Sequence, residues 1–303
     1  MIAVFWVMSI MSLAVFTSVR LLFYEVDLVT SQTHGSRARQ LAEKGIAVAA
    51  NPAVEPGDQL LRQTFENGSE GFDSQIRFEG GRLNLNVLLL PRQDTGVVDK
   101  LFMRDIMAVW GMDLDEASEV VDALVDWVDA DDLEELNGAE IDDYEELGFE
   151  NRPFNRPFYN LDEVRFVRGW ERVERFNPNW RDWFTIWTGG GLDINEASPE
   201  LLSVAMEISI IEAEDLVNHI NGPDGIRYTE DDQAFQSPEE ALDLLGLPDI
   251  QRELILPRLA TGDQTARIES VGWSGDVKRR ITMVLRNRTG QPAIMERTEE
   301  VVP

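Results

Sequence analysis

No charged side chain occurs between Met1 and Val19, and after Arg20 the apolar character resumes at Leu21, Leu22, Phe23 and Tyr24. About twenty apolar residues cross the hydrocarbon core of a bilayer as a helix, so residues 1–24 are expected to be a membrane segment. A cleaved secretory signal would show a basic region first, a shorter apolar run and a small-residue cleavage site; none of these frames this stretch. Helical composition continues from Tyr24 to Asn51, where Pro52 stops it. One helix from Met1 to Ala50 would be about 75 Å long, enough for a stalk as well as an anchor. Its Arg and Lys residues lie C-terminal to the span and give no orientation by themselves.

The 303 residues are enough for one large or two modest cores, and 43% apolar residues with eight Trp mark a globular chain. The absence of cysteine excludes a disulfide framework, thiolate metal ligands and a Cys nucleophile. A formal charge of −29 argues against a phosphate-backbone partner and against an anionic membrane surface. The charge is concentrated: Asp105 to Asn151 contains eighteen acidic residues and no basic one. Such a density repels itself unless cations sit among the carboxylates, and divalent ions suit that role; a solvated acidic face is the plainer alternative.

In "SQIRFEGGRLNLNVLLLP", Ile76, Phe78, Leu83, Leu85, Val87 and Leu89 alternate with polar neighbours around Gly80-Gly81, which predicts a β-hairpin. From about Val97 the period becomes helical, with Leu114, Ala117, Val121, Leu124, Val125 and Val128 on one stripe after a capping-box-like Asp113 and Glu116. Further helix starts are read at Asn160, Ser198-Pro199 and Ser237-Pro238. "ARIESVGWSGDVKRRITMVLRN" returns to strand alternation around Ser274-Gly275. The expected division is an anchor and stalk helix over 1–51, β structure over 52–96, an inserted acidic helical block over 97–262, and β structure over 263–303 that completes the first sheet.

Three separated stretches carry a resemblance. "LVDWVDADD" with "GAEIDDYE" over 124–145, "NRPFYNLDEVRFVRG" over 155–169 and "LDINEASPELLSVA" over 192–205 occur in the order seen in the K-type minor pseudopilins of type II secretion systems (general secretion pathway protein K). The chain resembles that family over nearly its whole length. The resemblance implies an α+β fold: a long N-terminal transmembrane and stalk helix, a pilin-like antiparallel sheet and a large inserted all-α domain of helix-hairpin-helix or SAM-like kind. It implies a non-enzymatic subunit capping the tip of the secretion pseudopilus and supporting export across the outer membrane. The expected place is the bacterial inner membrane, single-pass, with the bulk of the chain periplasmic. Expected partners are other minor pseudopilins through the N-terminal helix and pilin-like domain, with secreted substrates or the outer-membrane secretin as further candidates. The chain begins directly in the apolar helix, like a mature form, and Phe5 stands where most pilin-like subunits carry glutamate. K-type members are similar in this, as suits a tip subunit with none ahead of it to pair with.

The family binds calcium in its helical domain, and the matching positions here are Asp129, Asp131, Asp132, Glu140, Asp142 and Asp143. The chemistry agrees, since calcium takes about six to eight oxygens at flexible geometry. A second, weaker loop offers Asp224, Thr229, Asp231 and Asp232 around Gly225, with an ordinary polar turn as the alternative. Catalysis is the rival reading, as a metal-dependent periplasmic hydrolase using the acidic cluster. Among eleven acidic residues between Asp126 and Leu147 some pair always meets a catalytic spacing, so spacing decides nothing. No HExxH, GxSxG or P-loop is present, and His34 and His219 have no ligand-like neighbours in sequence. "LDINEASPELLSVAMEISIIEAEDLVNHI" also has the look of a helix-hairpin-helix, which suggests a DNA-uptake factor. Its Glu196, Glu200, Glu207, Glu212, Glu214 and Asp215 would repel phosphate, so it reads as scaffold with Ile194, Leu201, Leu202, Ala205 and Ile208 in the core.

Overall fold

A computed structural model describes residues 2–65, 68–91 and 98–302, with the backbone alone for Ile2, Ala3, Ser9, Phe23, Val26 and Asp27. In chain order the strands are β1 (Arg62–Phe65), β2 (Glu70–Phe78), β3 (Leu83–Asn84), β4 (Phe184–Thr185), β5 (Leu192–Asp193), β6 (Leu259–Ala260), β7 (Ala266–Ser274), β8 (Val277–Arg286) and β9 (Ala293–Val302). The helices are α1 (Ile2–Ala49), α2 (Leu85–Leu88), α3 (Lys100–Val109), α4 (Leu114–Val128), α5 (Ile141–Glu146), α6 (Trp170–Phe176), α7 (Pro199–Met206), α8 (Ile210–Ile220), α9 (Pro238–Leu245) and α10 (Asp249–Ile255). The chain divides into two compact units, one of residues 1–77 with 266–303 and one of residues 78–265.

In the first unit the long helix is continuous. Val4–Leu22 is long and apolar enough to cross a membrane, and its described side chains are exposed. From Gly35 onward one stripe of α1, with Ala38, Leu41, Ala42, Ile46 and Ala49, is buried against the sheet. The sheet has the order β1-β2-β7-β8-β9 and is antiparallel in the pairs β1/β2, β7/β8 and β8/β9. Ser274 opposes Val277 across the β7–β8 turn, which is the C-terminal hairpin read from the alternation. The helix lies close on β7 because Gly272 has no side chain; a Cβ there would land on the backbone of Ala38 and Ala42. Arg288 closes the far end of α1 by donating to the carbonyls of Ala49 (2.8 Å), Asn51 (2.7 Å) and Val54.

The expected hairpin across Gly80-Gly81 does not form. After Phe78 the Glu79 N–H turns to the Thr265 carbonyl (2.8 Å), and Leu83 donates to Trp183 (2.8 Å), so β3 pairs in parallel with β4 while β2 pairs with β1. The helical block is accordingly wider than 97–262 and takes in residues 78–96 and 263–265. It is also not all-helical, since β3/β4 and β5/β6 form two short parallel pairs within it. Leu114 falls off the expected stripe: it opens α4 on the solvent side at 59% exposed, whereas Ala117, Val121, Leu124 and Val125 are buried.

The core of the second unit is aromatic. Trp127 meets Tyr144 (5.3 Å) and Phe154 (5.4 Å) edge-on and stacks at 6.4 Å on Phe158; Trp170 meets Trp180 edge-on at 5.1 Å. Such pairs add about 0.5–1.5 kcal/mol each beyond the area they bury. Ile194, Leu201, Leu202 and Ala205 are buried, and Ile208 packs against them half-covered.

Candidate metal centre

The acidic site is built between the end of α4 and the start of α5. Asp122 and Asp126 lie one turn apart near the end of α4 and are both buried, so α4 carries two carboxylates into the protein. Each is met by the loop that follows. Asp126 accepts from the backbone of Ala139 (2.7 Å) and Glu135 (3.1 Å), and Asp122 accepts from the backbone and side chain of Asn137 (3.2 and 3.1 Å). The loop thus folds back onto the helix that produced it. Gly138 permits the approach, because a Cβ there would occupy the position of the Asp126 carboxylate.

Two cations are built in. Lys100, from α3, puts its Nζ between Asp122 (2.9 Å) and Glu135 (2.8 Å). Arg168 donates to Asp143 (2.8 Å) and to the carbonyls of Asn137 (2.9 Å) and Gly138, while its own N–H meets the Tyr144 hydroxyl (3.2 Å). Neither residue was singled out from sequence: Arg168 lies in the second family stretch, but only the fold brings it to the turn.

Three carboxylates lie beyond this compensation. Burial pushes Asp126 and Asp129 each up to about 6. It pushes Glu140 up to about 7, with the charges of Asp126, Asp129, Asp132 and Asp131 adding to the shift. Glu140 is 8% exposed, and neither of its carboxylate oxygens nor Oδ1 of Asp129 has a hydrogen-bond donor among the described residues. Native proteins rarely bury a carboxylate oxygen without a partner.

The six expected ligands separate into two sets. Asp129, Asp131, Asp132 and Glu140 face one another closely enough to repel. Asp131 also accepts from the Leu133 N–H (2.9 Å), and Asp132 from Asn155 (3.0 Å). Asp143 is instead spent on Arg168 and on capping the Glu140 N–H (3.1 Å), and Asp142 is exposed. Asn155 is an addition: its Nδ2 holds the Asp131 carbonyl (3.1 Å) and Asp132, while its Oδ1 is buried without a donor. Among the described residues no three His, Asp or Glu side chains converge as a ready-made metal-binding group.

The second loop uses its own oxygens. Asp231 accepts from the Asp224 N–H (3.0 Å) and the Thr229 hydroxyl (2.6 Å), which holds its carboxyl below the usual range, and Asp232 pairs with Arg227. His34 is hydrogen-bonded to Ser274 (2.8 Å) and His219 stacks on Phe235. Of the raised carboxylates, Asp126 is fully buried and Glu140 nearly so, which keeps both from a substrate, whereas Asp129 is half-buried.

Residues 81–176 match the family model for type II secretion system protein K. No curated protein matches the chain. A crystal structure of the GspK-GspI-GspJ complex from the enterotoxigenic Escherichia coli type 2 secretion system contains a chain of similar fold. The TM-score is 0.64 at 11% identity, over 92% of this chain and 99% of that one. The domain of residues 81–176, which contains the acidic site, thus matches protein K of type II secretion, and the chain as a whole shares its fold with a chain of that complex.

Proposed function

We propose that the chain is a structural, non-enzymatic minor pseudopilin at the tip of the type II secretion pseudopilus. It is anchored in the bacterial inner membrane through its N-terminal apolar helix, has its bulk in the periplasm, and assembles with other minor pseudopilins. The observation that carries the reading is the match of residues 81–176 to protein K within a chain whose whole fold is similar to one found in a complex with GspI and GspJ. One feature supports the tip position: the unit of residues 78–265 is too large to repeat in a closely stacked filament. Full-length chain in neutral detergent is expected to co-elute with other minor pseudopilins of its secretion system. Elution alone, together with metal-dependent hydrolysis of ester or peptide substrates, would sink the assignment in favour of an enzyme.

Calcium is the cation this acidic site suits. Asp129, Asp131, Asp132 and Glu140 would hold it with Asn155 Oδ1 as a neutral oxygen; the unsatisfied oxygens of Glu140, Asp129 and Asn155 support this. When bound, the ion would supply the positive charge that Lys100 and Arg168 leave unmet, holding the loop closed. The second loop reads better as a self-closed polar turn. Chelation is expected to lower the melting temperature of the full chain and calcium to restore it. At a hundredfold excess over Kd the stabilisation is about 2.7 kcal/mol, or several degrees. An unchanged melting curve would leave a solvated acidic face.

A further inference from the structure

Beside the acidic loop the second unit carries a groove of about 330 Å³, the size of a small ligand pocket. Its floor is apolar, formed by Leu89, Val125, Val128 and Pro157, with Leu90 on the lip at 52% exposed. Its rim is acidic, formed by Asp129, Asp131 and Glu135. Among the described residues of the wall the one cation, Lys100, is neutralised by Asp122 and Glu135 and does not oppose a positive guest. The surrounding unit contains 43 acidic and 14 basic residues, so a positively charged partner is drawn to it and a negative one repelled.

We propose that this groove is a docking site for a basic amphipathic polypeptide segment. An apolar side chain of the segment enters between Leu90 and Val128, and its Lys or Arg neighbours pair with Asp129 and Asp131. Apolar burial supplies affinity and the rim supplies orientation and partner choice. An acidic or purely apolar segment does not fit, because the first is repelled and the second leaves the rim carboxylates facing it unpaired. The site goes beyond assembly through the N-terminal helix and does not require calcium, although it shares Asp129 and Asp131 with the calcium loop.

The test is fluorescence anisotropy with the full chain in neutral detergent, in calcium and in chelator. The probes are three labelled peptides of equal length: alternating leucine and lysine, the same with glutamate for lysine, and the same with serine for leucine. The leucine–lysine peptide is expected to bind in at least one medium, and the other two at least about tenfold more weakly. Leu90→Asp and Asp131→Lys should each weaken it about tenfold. Leu90→Asp leaves the melting curve unchanged because its side chain is exposed, and Asp131→Lys, which also alters the acidic loop, is compared in chelator at a temperature where its own melting curve shows it folded. Glu253→Gln, an exposed acid that does not line the groove, should change it less than about twofold. No binding in either medium, equal binding of the serine–lysine peptide, or binding that survives both groove substitutions would overturn the proposal. The last two results would indicate bulk attraction to a polyanion. Because binding and calcium-dependent melting are read separately, loss of one leaves the other measurable.

Discussion

The unit of residues 1–77 and 266–303 holds thirteen acidic and thirteen basic side chains, whereas residues 78–265 hold 43 and 14. The whole net charge of −29 therefore belongs to one unit. In the neutral unit charges are answered across elements, as in Arg37–Glu70, Arg39–Glu299 and Arg297–Glu43. Its docking of helix on sheet rests on close backbone approach and a buried apolar stripe. In the acidic unit the surplus is met first by backbone N–H groups, as on Asp126, and then by Lys100 and Arg168. What is left at Asp129 and Glu140 is buried carboxylate oxygen without a donor among the described residues. A chain that confines repulsion to one unit can use that repulsion for binding without loosening the element that anchors it.

The sharpest way to break this contrast is to attack the close approach in the neutral unit. Gly272→Val would drive a branched side chain into the backbone of Ala38 and Ala42, costing about 3 kcal/mol or more. Differential scanning calorimetry should show the loss while calcium still shifts the melting of the acidic unit. Loss of both responses together would mean that the units do not fold independently.

Arg168→Ala comes next. It removes three charge-assisted contacts from the 137–143 segment and should cost about 2 kcal/mol, with faster amide exchange at Asn137 and Gly138. Lysine should recover only part, since one ammonium cannot reproduce the planar fork of the guanidinium. Full recovery with Arg168→Lys would reduce Arg168 to a point charge.

Glu140→Gln should act with the opposite sign. It relieves repulsion from Asp126, Asp129, Asp131 and Asp132, so without calcium the variant should be more stable by about 1–2 kcal/mol. The same change would remove a proposed calcium ligand, so on that proposal calcium should no longer raise the melting temperature. A variant that is destabilised without calcium would show that the Glu140 charge is already compensated within the protein.

These residues show what the sequence made legible. The anchor and stalk were readable because one long apolar run admits few alternatives, and the β7–β8 hairpin because its alternation brackets a Ser-Gly turn. The alternation over 76–89 was equally clear but misled, since a two-residue period reports burial on two faces and not the identity of the partner strand. β9 lies in the β structure expected over 263–303 but had no alternation of its own to mark it, because Glu296, Arg297, Glu299 and Glu300 give an edge strand the composition of a solvated segment. At the metal centre the acidic positions were visible. Lys100 and Arg168 were not, because each reaches the site from a distant segment. Asp142 and Asp143 part from the other four because the start of α5 places them in solvent and in capping.

The smallest effect, in pH, separates the two units by sign. In the acidic unit Glu196 is largely buried, and burial pushes its carboxyl from 4.5 up to about 7 despite the Tyr228 hydroxyl (2.6 Å) and Arg227 (3.2 Å), with the charge of Asp193 adding to the shift. A folded-state value above the unfolded one means that the protonated form favours folding. Its contribution is full below about 4.5 and is lost as pH rises through about 7. In the neutral unit Arg37 and Ser274 hold the Glu70 carboxyl below its ordinary value of 4.5, so its contribution is present above that value and fades only on acidification. Raising the pH from about 5 to 8 should therefore weaken the acidic unit and leave the neutral unit unchanged. Glu196→Gln should reduce the slope of the acidic unit without abolishing it, because Asp126, Asp129 and Glu140 are also raised there, as read by urea unfolding followed through the tryptophans of that unit. An undiminished slope in Glu196→Gln would move its origin to those other carboxylates, and a steeper one would show that Arg227 outweighs burial.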